Sequence, residues 1–368
     1  MKYFVMKRNH IFIFLFFYML IFIIVAGCSG SSARKISFYQ SDINGSWKMV
    51  GFGLRRYDTF NSDGSLIIDA SGAITGGDLK SFGVDIQTFT GGTVSTTVRG
   101  SVTGSIDNFL ADSNTTEKHT ILGGQMTLSR DVIVYAGNFP ISKRGLGILI
   151  RKRGSFTGFD LEGTWVFPLE GIFSVSINNS GAITGCSILS KKGNSGTCSG
   201  VFGINPQGAI SGQIKTINGK TFEINFNGQM NSGRNVMIFG GGISTSFKGA
   251  ATFAVKKDGV FSLADGQGNW KIFITDNNNA MYGTITFDSS GKITGGNWNK
   301  VIKNSGTFTG GTLSISKQGG VSGFINTSTG NNYSLLGGQM SSTKELIGGI
   351  QKDNSGRFRV VALVKLPD

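Results

Sequence analysis

The chain has 368 residues, of which only 15% are charged, and its formal net charge is +14. Its 57 glycines and 4 prolines favour strands joined by tight turns over a helical protein. The length suggests two or three domains. The basic residues are spread along the chain and match no nucleic-acid-binding module, so no nucleic-acid partner is expected.

The first 27 residues have the order of a secretory signal peptide. Three basic residues precede an apolar run at Ile11–Ile24, and the small residues Ala26 and Gly27 follow. The run is short for a membrane-spanning helix, which needs about 20 apolar residues. We therefore expect a signal helix over 1–27 that is removed on export, with an uncleaved anchor as the alternative. Removing three basic and no acidic residues lowers the net charge from +14 to +11.

The end of this segment, Val25-Ala26-Gly27-Cys28, resembles the lipobox of bacterial lipoproteins, in which an aliphatic and two small residues precede a cysteine. The resemblance implies cleavage before Cys28, a diacylglyceryl thioether on its sulfur and acylation of the new amine. Several acyl chains hold a protein stably at a bilayer. Ser29, in place of an aspartate, implies the outer membrane by the same resemblance, and residues 28–37 would form a tether.

One motif, F-x3-D-x2-G-x-W, occurs three times, starting at Phe38, Phe156 and Phe261. Further turn signals recur in the same order, and Gly-Gln-Met follows at 124–126, 228–230 and 338–340. Such self-similarity predicts repeated structural units. We assign three copies over 38–153, 156–257 and 261–367.

Strand-type alternation fills each copy, and hairpin-turn residues separate the strands. The third copy contains eight candidate strands, near 269–275, 281–288, 292–299, 306–316, 320–327, 332–341, 345–352 and 357–366. Eight sequential strands leave two exposed edges unless the sheet closes. The sequence thus predicts an all-β fold of three tandem antiparallel up-and-down eight-stranded barrels after the signal helix. A single outer-membrane barrel of about 24 strands is the alternative.

The Gly-x-Trp at the start of each copy resembles the entrance of lipocalin and avidin-type, calycin-like barrels. The tryptophans are Trp47, Trp165 and Trp270. The resemblance implies that each tryptophan plugs one barrel end beneath a short 3-10 turn. No other motif of those barrels is visible, so no ligand residues carry over.

The recurring carboxylates of the motif are Asp42, Asp160 and Asp265, five residues before each tryptophan. A turn-stabilising role explains them better than catalysis, which requires paired carboxylates at a cleft. His119 is the one histidine after the leader, and we expect it at the surface. The sequence predicts no catalytic residue, no metal site and no cofactor.

Two cysteines, Cys186 and Cys198, lie on neighbouring predicted strands of the middle copy. In an oxidising compartment they most simply form a disulfide. We predict this bond.

The densest basic cluster combines Lys143-Arg144 with Arg151-Lys152-Arg153. It is either a site for an anionic surface polymer or lipid headgroups, or simply a solvated strand end. We expect a lipid-anchored extracytoplasmic protein with a binding or surface-structural role, and no enzyme activity. A carrier of a small apolar ligand in a barrel interior is the alternative function.

Overall fold

The computed structural model describes residues 36–368 apart from 55–58, 82–85, 111–113, 140–142, 169–170, 191–196, 218–220, 244–249, 277–278 and 303. Residues Ser37–Asp368 form one compact unit. Within it the described residues form 24 strands, with a 3-10 turn before the first, the ninth and the seventeenth. The predicted signal helix and Cys28 lie outside the described residues.

The first barrel closes on itself, because β1 pairs with β8 as well as with β2. A 3-10 turn at Gln40–Ile43 precedes it. Its strands are β1 (Gly45–Leu54), β2 (Thr59–Ile68), β3 (Ile74–Ser81), β4 (Ile86–Thr96), β5 (Ser101–Leu110), β6 (Thr115–Met126), β7 (Val132–Phe139) and β8 (Lys143–Arg151).

The second eight strands form a sheet in the order β11-β10-β9-β16-β15-β14-β13-β12. A 3-10 turn at Gly158–Leu161 precedes them. The strands are β9 (Gly163–Pro168), β10 (Gly171–Ile177), β11 (Ile183–Ser190), β12 (Thr197–Ile204), β13 (Ala209–Ile217), β14 (Thr221–Met230), β15 (Val236–Ile243) and β16 (Ala250–Lys256).

The third barrel is closed by the pairing of β17 with β24, and a 3-10 turn at Leu263–Gly266 precedes it. Its strands are β17 (Gly268–Asp276), β18 (Asn279–Phe287), β19 (Ile293–Lys300), β20 (Asn304–Ile315), β21 (Gly320–Thr327), β22 (Asn332–Met340), β23 (Leu346–Lys352) and β24 (Phe358–Lys365). The eight strands predicted here are confirmed, with every end within two residues of the predicted one.

The last strand of each third pairs with the first strand of the same third, and no ladder between described strands joins one third to the next. The predicted all-β fold of three antiparallel eight-stranded barrels is therefore confirmed for the described residues. The alternative of one large 24-stranded barrel is wrong, since its strands would have to pair across the three thirds.

The second barrel is nearly closed, and its two end strands, β11 and β12, meet at an open seam. A bridge between Ala182 and Val201 joins them at one end of this seam. The predicted disulfide, Cys186–Cys198, is present and joins the same strands, with a Cα–Cα distance of 5.5 Å. The disulfide therefore links two strands whose described residues are not joined by a ladder of backbone hydrogen bonds.

The other two barrels fill the same place with a glycine and a phenylalanine. Gly77 lies against the ring of Phe89, and Gly296 lies against the ring of Phe308. In each case the ring is buried in the barrel interior. The disulfide thus occupies the position where barrels 1 and 3 place an aromatic ring.

We predict that replacing both cysteines by alanine lowers the free energy of unfolding by about 2–3 kcal/mol, because the loop between them gains freedom in the unfolded chain. Urea unfolding of the wild-type and variant proteins measures this. The double variant Cys186→Gly/Cys198→Phe should recover part of the loss, since it copies the packing of the other barrels. Equal stability of the wild-type and alanine proteins would contradict the role assigned to the bond.

Each barrel has its own apolar interior, formed by the side chains of one face of its strands. The interior of the second barrel is filled by stacked and edge-on rings, with centroids 5.4–6.2 Å apart. These rings belong to Phe167, Phe202, Phe226 and Phe239. Such packing leaves this interior to the protein's own side chains and weighs against an apolar ligand there.

A fourth apolar cluster, here called the shared core, lies between the barrels. It is formed mainly by outward-facing residues of the seventh and eighth strands of each barrel. Val134 and Ile148 come from the first barrel, Ile238 and Phe253 from the second, and Ala362 from the third. All five are fully buried. Because a fully buried aliphatic or aromatic side chain contributes about 1.5–3 kcal/mol, the shared core holds the three barrels together as one body.

Barrels 2 and 3 approach each other closely in the shared core at Gly348 of β23, and this contact requires a residue without a side chain. A Cβ atom at this position would overlap the ring of Phe253 from the second barrel. At Gly295 of β19, in the same barrel, an added Cβ would meet nothing within 4 Å.

We predict that Gly348→Ala lowers the free energy of unfolding by about 1–3 kcal/mol, because the added methyl overpacks the contact between barrels 2 and 3. Gly295→Ala is the matched control, and it should leave stability within about 0.5 kcal/mol of the wild type. Urea unfolding curves for the three proteins test this. If the two alanine variants proved equally stable, the packing between the barrels would not depend on Gly348.

Candidate functional site

The three tryptophans of the repeated motif lie inside the barrels and are fully buried. Each indole N–H donates to the carbonyl oxygen four residues earlier, at 2.8–2.9 Å. A cation covers each ring, at 5.4–5.6 Å from the centroid. The pairs are Arg151 on Trp47, Lys256 on Trp165 and Lys365 on Trp270. Because the N–H group and one face are already occupied, these rings do not offer a ligand-binding surface.

The recurring aspartates stabilise the 3-10 turns. One carboxylate oxygen of each accepts the backbone N–H three residues earlier, at 2.8 Å in all three copies. Each aspartate also forms an ion pair with a basic residue of the turn between the sixth and seventh strands of its own barrel. The pairs are Asp42 with Arg130, Asp160 with Arg234 and Asp265 with Lys344, at 3.4, 3.1 and 2.8 Å. The three carboxylates thus lie in separate barrels, and each serves its own turn.

These basic partners were missed at the sequence level. All three adopt a left-handed backbone, with φ of 61° at Arg130, 57° at Arg234 and 60° at Lys344. Each follows the methionine of Gly-Gln-Met by four residues. This constant spacing in the sequence would have identified the three basic partners.

The glutamines of Gly-Gln-Met complete this end of each barrel. Their side-chain amides donate to the carbonyl oxygens of Arg99, Gln207 and Gln318, at 2.8–2.9 Å. These acceptors lie in the turns between the fourth and fifth strands. We call the barrel ends that carry the tryptophans, the 3-10 turns and these hairpin turns the capped ends.

We predict that Asp265→Ala destabilises the protein by about 1–2 kcal/mol, because the turn loses its capping acceptor and its ion pair. Burial acts to raise the pKa of Asp265, but the hydrogen bonds from Lys344 and from the Ser262 amide prevail and lower it. Asp265→Asn keeps an acceptor for the amide and should cost less. Thermal unfolding of both variants tests this, and equal losses would contradict the capping role.

The three capped ends meet at a polar junction. The amide of Ser129 donates to Glu345 at 2.9 Å, and the Ser232 hydroxyl donates to Asp131 at 2.8 Å. The side-chain amide of Asn235 donates to Ser342 at 3.2 Å. Each bond joins a different pair of barrels, so the turns between the sixth and seventh strands form a ring. The junction therefore sets the capped ends side by side.

The two carboxylates of this junction are already engaged. Asp131 is fully buried and also accepts the Ser129 hydroxyl at 2.6 Å. Burial raises the pKa of Glu345, and the nearby Asp131 charge acts in the same direction. Their hydrogen bonds to the neighbouring barrels give them a structural role.

The expectation of a surface histidine is wrong. His119 is fully buried in the first barrel, 4.2 Å from the ring of Phe139 and 5.5 Å from that of Tyr135, measured between centroids. It lies two residues before the core residue Ile121 on β6, and side chains two apart share a face of a strand. Burial lowers the pKa of His119 to about 3, so its imidazole is neutral.

Two more buried polar side chains accompany His119 in this interior. Gln87 and Asn108 are fully buried, and none of the six side-chain nitrogen and oxygen atoms of these three residues has a hydrogen-bond partner in the protein. An unpaired buried polar group costs about 1–3 kcal/mol. We call these three residues the polar patch of barrel 1.

The basic cluster is partly used within the protein. Arg151 donates to the carbonyl of Asn44 beside the first tryptophan, and Arg153 donates to the carbonyl of Ser129 at 2.9 Å. Lys152, between them, is exposed. Lys152 and Arg153 are therefore the members of this segment that are exposed to solvent.

A surface cleft of about 470 Å³ lies on the third barrel. It is lined by Tyr282, Asn299, Lys300, Asn304 and Ser305. Ligand pockets are mostly apolar and enclosed, whereas this cleft is open and mostly polar. In the described ranges no group of three or more histidine, cysteine or carboxylate residues could hold a metal ion. No helix among the described residues is long and apolar enough to cross a bilayer.

No family model matches the sequence, and no curated protein matches it. Among solved structures, the chain is similar to transferrin binding protein B from serogroup B Neisseria meningitidis, with 12% identity, a TM-score of 0.28, and 87% of this chain and 75% of that one covered. It is also similar to a de novo designed fluorescence-activating β-barrel, with 12% identity and a TM-score of 0.24. That match covers 28% of this chain and 98% of the designed one. A third similar structure is kievitone hydratase from Nectria haematococca, with 8% identity and a TM-score of 0.22. The match covers 92% of this chain and 94% of that one. These values carry no argument about what this chain does.

Proposed function

We propose that this protein is a lipid-anchored, extracytoplasmic platform of three fused barrels with a binding or surface-structural role and without catalysis. The observation that carries the proposal is the shared core, which makes one body of three units. The recurring carboxylates, the natural candidates for acid–base chemistry, are bound to turn amides and basic side chains. A fused repeat can strengthen binding by presenting several surfaces at fixed spacing, without any chemistry.

The anchor in this proposal is the acylated thiol of Cys28, and the outer membrane is the location that the lipobox resemblance implies. The chain enters the first barrel at its capped end, where Phe38 donates to the Val98 carbonyl at 3.0 Å and Arg130 donates to the Ser37 carbonyl at 3.0 Å. Ser37 lies nine positions after Cys28, and an extended chain of that length spans about 30 Å. The tether therefore limits how far the capped end can lie from the lipid.

The capped ends carry side chains suited to a lipid surface. Tyr39, Val98, Phe159 and Val260 are between 62% and 82% exposed there. Exposed basic residues lie beside them, at Arg99, Lys152, Arg153, Lys257 and Lys317. Aromatic rings favour the membrane–water interface, and basic residues attract anionic headgroups. We infer that the capped ends face the bilayer and that lipid headgroups are their partner.

We predict that the wild-type protein, produced in a bacterium that processes lipoproteins, begins at Cys28 and carries acyl chains there. Mass spectrometry of the N-terminal peptide measures this, and Cys28→Ser is the matched control that cannot form the thioether. A wild-type N-terminal peptide without acyl chains would remove the anchor from the proposal.

The orientation is tested on the same lipidated protein in vesicles that contain anionic lipid. Val260→Cys places a thiol at the capped end, and Ile302→Cys places one in the β19–β20 turn at the opposite end of the same barrel. A polarity-sensitive dye should report an apolar environment at residue 260 and water at residue 302. A water signal at both positions would reject the orientation and leave the anchor untouched.

A further inference from the structure

The surface cleft of the third barrel lies near the end of that barrel opposite to its capped end. Strand β19 ends at this cleft with Asn299 and Lys300, and β20 begins there. Tyr282 of β18 lies beside Asn299 in the strand register and forms one wall. The volume of about 470 Å³ falls within the range of ligand sites, and the cleft is open to solvent. The cleft therefore has room for a segment of a larger molecule.

The Tyr282 wall is held in place by contacts with a neighbouring strand and with another barrel. The Nζ atom of Lys271, on β17, lies 5.6 Å from the centroid of the Tyr282 ring. A Cβ atom added at Gly123 of the first barrel would lie only 2.6 Å from atoms of the same ring, so the ring packs directly against that glycine. A wall that is fixed before binding loses little freedom when a ligand arrives.

The residues of this wall are specific to the third barrel. Tyr282 lies six residues before the turn between the second and third strands of its barrel. The same place holds Asp63 in the first barrel, opposite Lys80 in the strand register. In the second barrel it holds Ile172, opposite Leu189. A charged pair and an apolar pair thus replace the tyrosine and its amide partner, so the repeated scaffold does not require them.

The charge at this place also differs between the barrels. In the first barrel Lys48 forms an ion pair with Asp63, at 2.5 Å. Lys271 takes the place of Lys48 in the third barrel, since each directly follows the tryptophan of its motif. The counterpart of Asp63 is Tyr282, which carries no charge to neutralise this lysine. Lys300 adds a second cation, and none of the five lining residues is acidic. The cleft therefore attracts an anion.

The other polar lining residues, Asn299, Asn304 and Ser305, are exposed, and their amides and hydroxyl both donate and accept hydrogen bonds. We propose that the cleft binds an acidic polysaccharide, which carries hydroxyl groups and carboxylates along an extended chain. Its hydroxyls bond to the amides, its carboxylate faces Lys300, and C–H groups of one sugar ring pack on Tyr282. An open cleft suits a chain, because the polymer continues beyond the cleft at both ends.

Lipid headgroups are anionic as well, but in the proposed orientation the capped ends face the bilayer and the cleft faces away from it. The inference deepens the binding role within the proposed function and rests on that role. It does not require a lipid at Cys28, so the cleft and the anchor are tested separately.

Isothermal titration calorimetry on the mature full-length protein, in a non-ionic detergent, tests the proposal. The probes are oligomers of galacturonic acid, alginate and hyaluronan, which differ in their sugars and share carboxylates. At least one of them should bind saturably at one site per chain, and added salt should weaken its binding. The neutral methyl ester of the same oligomer should bind about tenfold more weakly, because it lacks the charge that Lys300 attracts.

Two variants locate the site. Tyr282→Asp reproduces the arrangement at Asp63 of the first barrel, so the barrel should fold, and the new carboxylate should weaken binding about tenfold by repulsion. Lys300→Gln removes the attracting charge and should also weaken binding. Lys80→Gln is the matched control, because it removes one lysine at the corresponding place of the first barrel, and it should leave the affinity unchanged. A cooperative thermal transition shows that each variant is folded.

Three results would each overturn the proposal. The first is the absence of saturable binding for all three acidic oligomers. The second is equal affinity of the wild type, Tyr282→Asp and Lys300→Gln proteins for the oligomer that binds. The third is equal binding of the acid and its methyl ester, which would show that the carboxylate is not recognised. None of these results bears on the lipid anchor, which the N-terminal peptide tests.

Discussion

Burial of both faces of the seventh and eighth strands is the constraint on which this architecture depends. In β7 the outward residues Val132, Val134 and Ala136 enter the shared core, while the inward residues Ile133 and Tyr135 fill the barrel. A sheet that is buried on both sides requires a continuous apolar sequence instead of alternation. The three barrels therefore depend on each other for the burial of these strands.

The shared core also explains the polar junction above it. Packing the same strands of three units together brings their hairpin turns to one place, where carboxylates and amides lose contact with water. The ring of bonds through Ser129, Ser232 and Asn235 satisfies these groups. Since each bond links a different pair of barrels, the junction adds directional specificity to an apolar contact that has little of its own.

Much of the fold was predictable because the same sequence pattern occurs in three copies. The period-two pattern and the turn residues located the strands of the third copy closely, and the chain separation of Cys186 and Cys198 indicated their bond. The contact between barrels was not predicted, although the unbroken apolar runs of β7 and β8 indicate burial on both faces. His119 was misassigned because Glu117-Lys-His-Thr looks polar, whereas its position relative to Ile121 places it inside.

Comparison of the three copies separates scaffold from function within one molecule. Residues that recur in every copy, such as the tryptophans and the capping aspartates, are each accounted for by a bond within their own barrel end. The interiors differ instead: phenylalanine rings fill the second, and Gln87, Asn108 and His119 line part of the first. A scaffold requirement acts on all copies alike, so a costly feature present in one copy needs its own cause. The polar patch is such a feature, because its three side chains belong to one copy and are not part of what the repeat requires.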